Sequence, residues 1–313
     1  MKNVRKGRIF ALRAHADLPA RRQSAIIRHK MRTGFFLTTG LCLLAATGLD
    51  AAALRVKASD LLPDPVKGIL ESCSIADPDS AFEGSINALA ELQAGDADVV
   101  LVAVPDGKPL PEGMVCIPFA FEVAAVIVND GNPTKQITLR ALASAFAKSG
   151  GADKWGNLGL KDVWAERNIA AYVPKSSNGV TLDLFRSMTI KNGAFRDGLN
   201  VWTGRGQIEH IVREQAQCLV IMRGIDVPAG GRALLVSEST DQDTFPYPPT
   251  ESSVFYGDYP LRLPFYIVMR KDAPQQVKDF ATVMLSDETA KAMSGAGFVP
   301  APKSERDLGM HMQ

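Results

Sequence analysis

At 313 residues, 46% hydrophobic and 22% charged, the chain can bury a large core, as one big domain or two lobes. Its formal charge of +1 hides an asymmetry: ten of the 35 Lys/Arg but two of the 34 Asp/Glu fall in residues 1–53, so the remainder carries −7. That mildly acidic body lacks the clustered positive charge that a phosphate backbone demands, which argues against nucleic acid as a partner. Lys30, Met31 and Arg32 precede an apolar run from Phe35 to Leu44 and then Ala51-Ala52-Ala53. A charged n-region, an h-region and a small-residue cleavage site in that order form a secretory signal peptide, and Met31 is the more natural start. The apolar run is shorter than the ~20 residues a membrane span needs. Residues 1–53 therefore read as leader and signal peptide, with an uncleaved anchor as the alternative.

Beyond the leader, Leu54–Lys57 reads as a strand, Ser59-Asp60 as a loop, and Pro63–Ser72 as a helix. Ser85–Gln93 is a helical stretch stopped by Gly95, and Asp98–Val104 is the continuous apolar run of a buried strand. Val123–Val128 is another such run, ended by the turn Asn129-Asp130-Gly131-Asn132-Pro133. Thr138 is placed to cap a helix carrying Leu139, Leu142 and Phe146, which Gly150-Gly151 would end. Ile169–Val173 is strand-like and leads into Pro174–Phe185, a loop of hydroxyls, an amide and a glycine that opens an amphipathic helix. Such a loop either caps its helix or holds a small anion on free backbone N–H groups at the positive end of the helix dipole. Further strands are Cys218–Met222, Ala233–Val236 and Phe265–Met269. Between the last two, Ser237–Tyr259 is polar and rich in Pro and Tyr, a candidate interlobe connection. Asp272-Ala273-Pro274-Gln275 predicts a capping-box-like start for a helix through Val277, Phe280, Val283 and Met284. Strands alternating with helices predict an α/β protein with mixed, largely parallel sheets.

Cysteines and histidines give little chemistry. Cys73, Cys116 and Cys218 remain after the leader, enough for one disulfide and an odd thiol, with the pairing open. No Cys/His cluster points to a metal, and no cofactor is indicated. Only His210 and His311 remain, so the usual general base of hydrolases is scarce, which argues against an enzyme.

Five segments in order resemble the PstS-type phosphate-binding proteins of bacterial ABC transporters. They are Ala88–Val100 (ALAELQAGDADVV), Ala124–Phe146 (AAVIVNDGNPTKQITLRALASAF), Trp155 with Lys175–Phe185, Tyr259–Ile267 (YPLRLPFYI), and Phe280–Pro300 ending in Gly-Phe-Val-Pro. The resemblance spans nearly all of Leu54–Pro302. It implies a two-lobed periplasmic-binding-protein fold of type II, with residues 54–128 plus 245–313 in one lobe, 129–244 in the other, and ligand in the cleft between. It also implies a periplasmic, monomeric receptor for a small inorganic oxyanion, phosphate first, handing its cargo to an ABC permease or serving a sensor.

Carried over position by position, the resemblance implies Ser59 as a donor in the first loop, Ser85 at the start of the second helix, and Lys175, Ser177, Asn178, Gly179 and Thr181 in the anion loop. The departures are as informative. Leu61 stands where a second hydroxyl is usual, Val180 where a glycine is typical, and Lys175 where the family has an arginine, so a point charge replaces a bidentate fork. The acid that accepts the proton of hydrogen phosphate is replaced by Ala103, and Asp106 lies beyond Pro105. Asp60 is the candidate replacement acceptor, or else a helix N-cap. Arg196, Arg205 and Arg223 are candidates to compensate for the missing arginine. Two other readings stay open: a domain of this type with a degenerate site, used for protein–protein contact, and an exported hydrolase using Ser176 or Ser177 with His210.

Overall fold

The computed structural model describes residues 53–311 except 74, 76–77, 79–80, 176–179 and 240–244, so the leader and much of the anion loop, including Ser177, Asn178 and Gly179, lie outside the described residues. The chain runs β1 (Val56–Ala58), α1 (Pro63–Ser72), α2 (Ser85–Ala94), β2 (Val99–Ala103), β3 (Met114–Asn129), β4 (Gln136–Thr138) and α3 (Leu139–Phe146). After two short 3-10 turns come β5 (Ala170–Pro174), α4 (Thr181–Ile190), β6 (Asn200–Trp202), α5 (Arg205–Glu214) and β7 (Cys218–Arg223). Then follow β8 (Gly231–Ala233), β9 (Leu235–Ser237), α6 (Glu251–Tyr256), β10 (Arg262–Arg270), α7 (Gln275–Met284), α8 (Asp287–Gly295), β11 (Val299–Pro300) and α9 (Lys303–His311). Among the described residues no helix is long and apolar enough to cross a membrane.

The main sheet has the order β1-β2-β10-β3-β7-β5-β6, with β11 and β8 also on β3, while β4 and β9 form a separate parallel pair. Parallel ladders join β1 to β2, β5 to β7 and β5 to β6. Every antiparallel ladder runs through β3 or β10. The 16-residue β3 is the element common to both halves: Met114–Val123 pairs with β10, and Ala124–Asn129 pairs with β7 and β8. Ten consecutive residues, Phe119–Val128, are buried. The apolar pattern alone starts this strand at Val123, because Glu122 interrupts it.

The helices cover the sheet by period-two logic. On one face of the β1–β2–β10 half, Ala88 and Leu92 of α2 pack on Val100, Val102 and Val268. On the β7–β5 half, Ile208, Ile211 and Val212 of α5 pack on Ile127, Val220 and Met222. The opposite face joins both halves in one large core, from Val56 and Leu101 through Phe121 and Phe265 to Leu184, Phe185 and Ile221. Tyr259 is fully buried there, and its phenol donates to the Ala124 carbonyl at 3.0 Å. Cys73, Cys116 and Cys218 are all free, and burial raises each thiol above its ordinary value, Cys218 to about 11.

Several local expectations shift. α3 ends at Phe146, four residues before Gly150. That glycine is needed for another reason, since a Cβ there would fall 2.2 Å from the Ser144 carbonyl oxygen. The start of α7 has Pro274 at the N-cap and no side-chain cap, so Asp272–Gln275 forms no capping box. Instead, Thr250 and Ser253 make one at α6, inside the stretch read as a connection: Ser253 N–H donates to Thr250 Oγ1 at 3.2 Å and Thr250 N–H to Ser253 Oγ at 3.1 Å. The Ala233–Val236 run divides between β8 and β9 at Leu234.

Thr138 caps α3 as its position implies, accepting from Ala141 N–H at 3.0 Å. Thr138→Ala is expected to cost about 1 kcal/mol, while Thr138→Ser retains most of it. Thermal unfolding of the two variants checks this.

Candidate functional site

Ser59, Asp60 and Ser85 meet at the carboxyl ends of β1 and β2. The loop after β1 is fixed by its backbone: Ser59 N–H donates to the Leu101 carbonyl at 2.7 Å, and the N–H groups of Glu83 and Gly84 donate to the Ala58 carbonyl at 3.2 and 3.3 Å. Ser59 is buried, and its Oγ accepts a long bond of 3.3 Å from Leu61 N–H. Ser85 is the first residue of α2, with Gly84 at the N-cap. Its hydroxyl therefore caps nothing and instead accepts from Ala103 N–H at 2.9 Å, tying the helix start to the end of β2.

Asp60 does not cap α1, whose N-cap is Leu62 with no side-chain bond. It is exposed, and its carboxylate lies over the start of α2, where a Cβ on Gly84 would sit 3.7 Å from Oδ1. Gly84 has φ +92°, a conformation that favours glycine and lets the two loops approach. A carboxylate beside the positive end of a helix is favourably placed. Asp106, the other acid near the missing position, is taken up by Arg262 through bonds of 2.8 and 2.7 Å.

The described residues flanking the loop after β5 separate into two environments. Lys175 is exposed, and its N–H donates to the Trp202 carbonyl at 2.9 Å. Thr181, the first residue of α4, is fully buried, and its hydroxyl donates to Glu122 Oε1. The α4 N-cap is Val180, with no side-chain cap. Of the three arginines considered for compensation, Arg196 is bound to the Ala152 carbonyl and Asp153, and Arg205 to Glu209. Arg223 is the one that joins Thr181: its Nε and Nη2 donate to Glu122 Oε2 at 3.0 and 2.8 Å.

Glu122 is the residue that sequence reasoning missed. It is fully buried, on the same face of β3 as Ala120 and across from Leu263 of β10. Ala103, Phe265 and Ala120 form one cross-strand row, so Glu122 stands two strands and one two-residue step from Ala103, roughly 12 Å by strand spacing and rise. The signal available in the sequence was a lone acid between two apolar runs, Ile117–Phe121 and Val123–Val128. An unpaired buried carboxylate is costly, so such a residue implies a cation from elsewhere in the fold. Burial pushes the Glu122 carboxyl above its usual range, and the Arg223 charge with the bonds from Thr181 and Arg223 pulls the other way.

The Arg223 guanidinium is fixed on a second side. It lies over the Phe298 ring at 4.3 Å, and Phe298 packs edge-on against Phe265. Gly297 has φ +86°, which favours glycine, and it passes close to the arginine: a Cβ there would fall 3.1 Å from Arg223 Cδ. Outside the guanidinium is a cavity of about 290 Å³ lined by Arg205, Arg223, Asp226, Glu251 and the segment around Gly297–Pro300. His210 is exposed on α5, and its suggested partners Ser176 and Ser177 lie outside the described residues. Among the described residues no group of three His, Cys, Asp or Glu side chains is placed to hold a metal ion.

Removing Arg223 strands a buried charge. Arg223→Met is expected to cost about 2–4 kcal/mol at about pH 8, below the full cost of breaking a buried pair because Arg223 is 25% exposed. The sign follows from linkage. Without the guanidinium the folded-state carboxyl rises further above its unfolded value, so the folded protein holds a proton that the unfolded chain has released. Stability of the variant then falls as pH rises through that interval, and the deficit shrinks toward about pH 5. Thermal unfolding of both proteins across that range reads it directly.

A family model described as a PBP superfamily domain matches residues 72–288. None of the curated proteins matches the sequence. Among solved structures, a possible phosphate binding protein from Planctomyces limnophilus superposes with a TM-score of 0.63 at 17% identity, over 83% of this chain and 96% of that one. PstS from Borrelia burgdorferi gives 0.60 at 14%, over 80% and 99%. An ABC-type phosphate transport receptor from Vibrio cholerae gives 0.53 at 20%, over 79% and 99%. At these identities the likeness is one of fold.

Proposed function

The chain belongs to the PBP superfamily, with the mixed α/β fold of its type II members, and from that premise we propose that it is an exported solute-binding protein for phosphate or a related small oxyanion, serving an ABC importer or a sensor. The observation that carries this reading is the arrangement around Glu122. A buried hydroxyl from the start of α4 and an arginine fork from the end of β7 converge on two negatively charged oxygens. Surroundings that stabilise a carboxylate in this way suit other small oxyanions. Two structural relatives, a possible phosphate binding protein and a phosphate transport receptor, point to the same ligand class.

In this reading residues 54–128 plus 245–313 form one lobe and 129–244 the other, with β3 passing from one to the other and hinge closure burying the ligand. Residues 1–53 are the leader and signal peptide, and the mature protein is a periplasmic monomer. The ligand set is Ser59, Asp60 and Ser85 from the first lobe and Lys175, Ser177, Asn178, Gly179 and Thr181 from the anion loop, with Arg223 at the end of β7 compensating for the family's arginine. Asp60, in the loop after β1 and beside the start of α2, is the acceptor assigned to the proton of hydrogen phosphate, a proton that would otherwise lie unpaired at a cost of ~1–3 kcal/mol.

A second reading is favoured by one observation: the Thr181 hydroxyl is spent on Glu122, inside the protein. A domain whose anion donors are permanently satisfied would keep the fold and serve in protein–protein contact.

Calorimetric titration of the ligand-stripped protein with phosphate, arsenate, sulfate and molybdate separates the two. Saturable heat with phosphate and arsenate, together with a smaller radius of gyration when liganded, is the expected outcome. Asp60→Asn should then weaken phosphate by about tenfold or more while leaving sulfate no weaker, since only the protonated oxyanion needs an acceptor. Absence of heat with all four from a folded sample favours the contact module.

A further inference from the structure

The hydroxyl and the guanidinium that an oxyanion would use are already engaged by the protein itself. Thr181 donates to Glu122 Oε1, and Arg223 donates twice to Oε2 at 3.0 and 2.8 Å. A carboxylate and one edge of a phosphate or sulfate offer such donors the same pattern, two oxygens sharing negative charge. We infer that Glu122 is an internal anion that occupies these donors and competes with an incoming oxyanion for them. The inference rests on the oxyanion-binding reading above and adds to it a residue that sets specificity and pH response.

Access and charge both support it. Arg223 faces the 290 Å³ cavity on one side and Glu122 on the other, so an anion entering the cavity meets the guanidinium while Glu122 still covers Thr181. Glu122 and Thr181 are each fully buried, whereas the Arg223 side chain is 25% exposed. A divalent anion arriving while Glu122 is ionised meets a buried like charge and must displace it from both donors. With Glu122 protonated, its hold on Arg223 weakens and its O–H becomes a donor.

The other charges around Glu122 are accounted for. On β7, Arg223 is its direct partner. On α4, Asp183 is exposed and paired with Arg186, and on β10 Arg262 is paired with Asp106. Arg205, Asp226 and Glu251 also line the cavity, and Glu122 is the fully buried acid of the set. Oxyanion binding is therefore coupled to uptake of one proton wherever Glu122 is ionised in the free protein. That coupling weakens affinity by up to roughly tenfold per pH unit toward the alkaline side.

The test titrates the full chain and its Glu122→Gln variant with sulfate and with inorganic phosphate between about pH 5 and about pH 8. The readout is the ratio of the two proteins' Kd values at each pH, in which the ionisation of phosphate itself cancels. The expected result is that Glu122→Gln binds at least about tenfold more tightly at the alkaline end, with the ratio closing toward acid. A wild-type protein silent at every pH beside a variant that binds is the extreme form of the same result and supports the inference. Gln retains an oxygen for Thr181 and Arg223. Should the variant fail to fold, the wild-type slope beyond that of phosphate's own ionisation decides alone, a flat slope overturning the internal anion. Equal or weaker binding by a folded variant also overturns it and leaves the oxyanion-binding reading intact. No heat with either anion from both folded proteins overturns that reading, and the inference with it.

Discussion

Taking a carboxylate out of water costs several kcal/mol unless a counter-charge and hydrogen bonds meet it, and Glu122 is met by both. The rest of the centre follows from that requirement. β3 can run unbroken through a charged residue because Arg223 neutralises it from β7 and Thr181 satisfies its second oxygen from α4. Three elements distant in sequence are thereby tied at one point, where the pairing of β3 passes from β10 to β7. Replacing such a cluster with well-packed apolar residues is often neutral or stabilising, so its presence is weak evidence of a purely structural role.

The surrounding backbone is shaped to keep the arginine in place. The close passage of Gly297 beside Arg223, and of Gly224 beside the Gly297 carbonyl, brings the C-terminal segment against the end of β7. Phe298 then supplies a ring face for the guanidinium and an edge contact for Phe265. The Gly-Phe-Val-Pro sequence is thus more than the end of a helix: it is one wall of the arginine's site. Ser59, Ser85 and the exposed Asp60 form a neighbouring group at the ends of β1 and β2, held by backbone bonds of the two loops and by the Ser85 hydroxyl, which accepts from Ala103 N–H.

Most of the fold was legible because it is written in local patterns. Apolar runs marked β2, β5 and β7, Thr138 marked α3, and Gly95 marked the end of α2. The order of five segments pointed to the superfamily. The centre was not legible, for a physical reason: Glu122 and Arg223 are 101 positions apart and meet only through sheet pairing. Thr181 was visible as part of a hydroxyl-rich loop, but a loop sequence carries no information about which carboxylate its hydroxyl will find. Ser85 shows the same limit, since a serine at a helix start is a cap or a strand tie depending on a backbone turn of one residue.

Unpaired thiols are a hazard for any chain that folds where disulfides form, because exchange begins with a thiolate attacking a disulfide. Burial raises Cys73, Cys116 and Cys218 alike, so the reactive form is a small fraction of each near neutral pH. Cys218 is the extreme case, sealed at the start of β7 on the face that α5 covers. Packing that serves the sheet thus also acts as redox insulation at Cys218, and to a smaller degree at the half-buried Cys116.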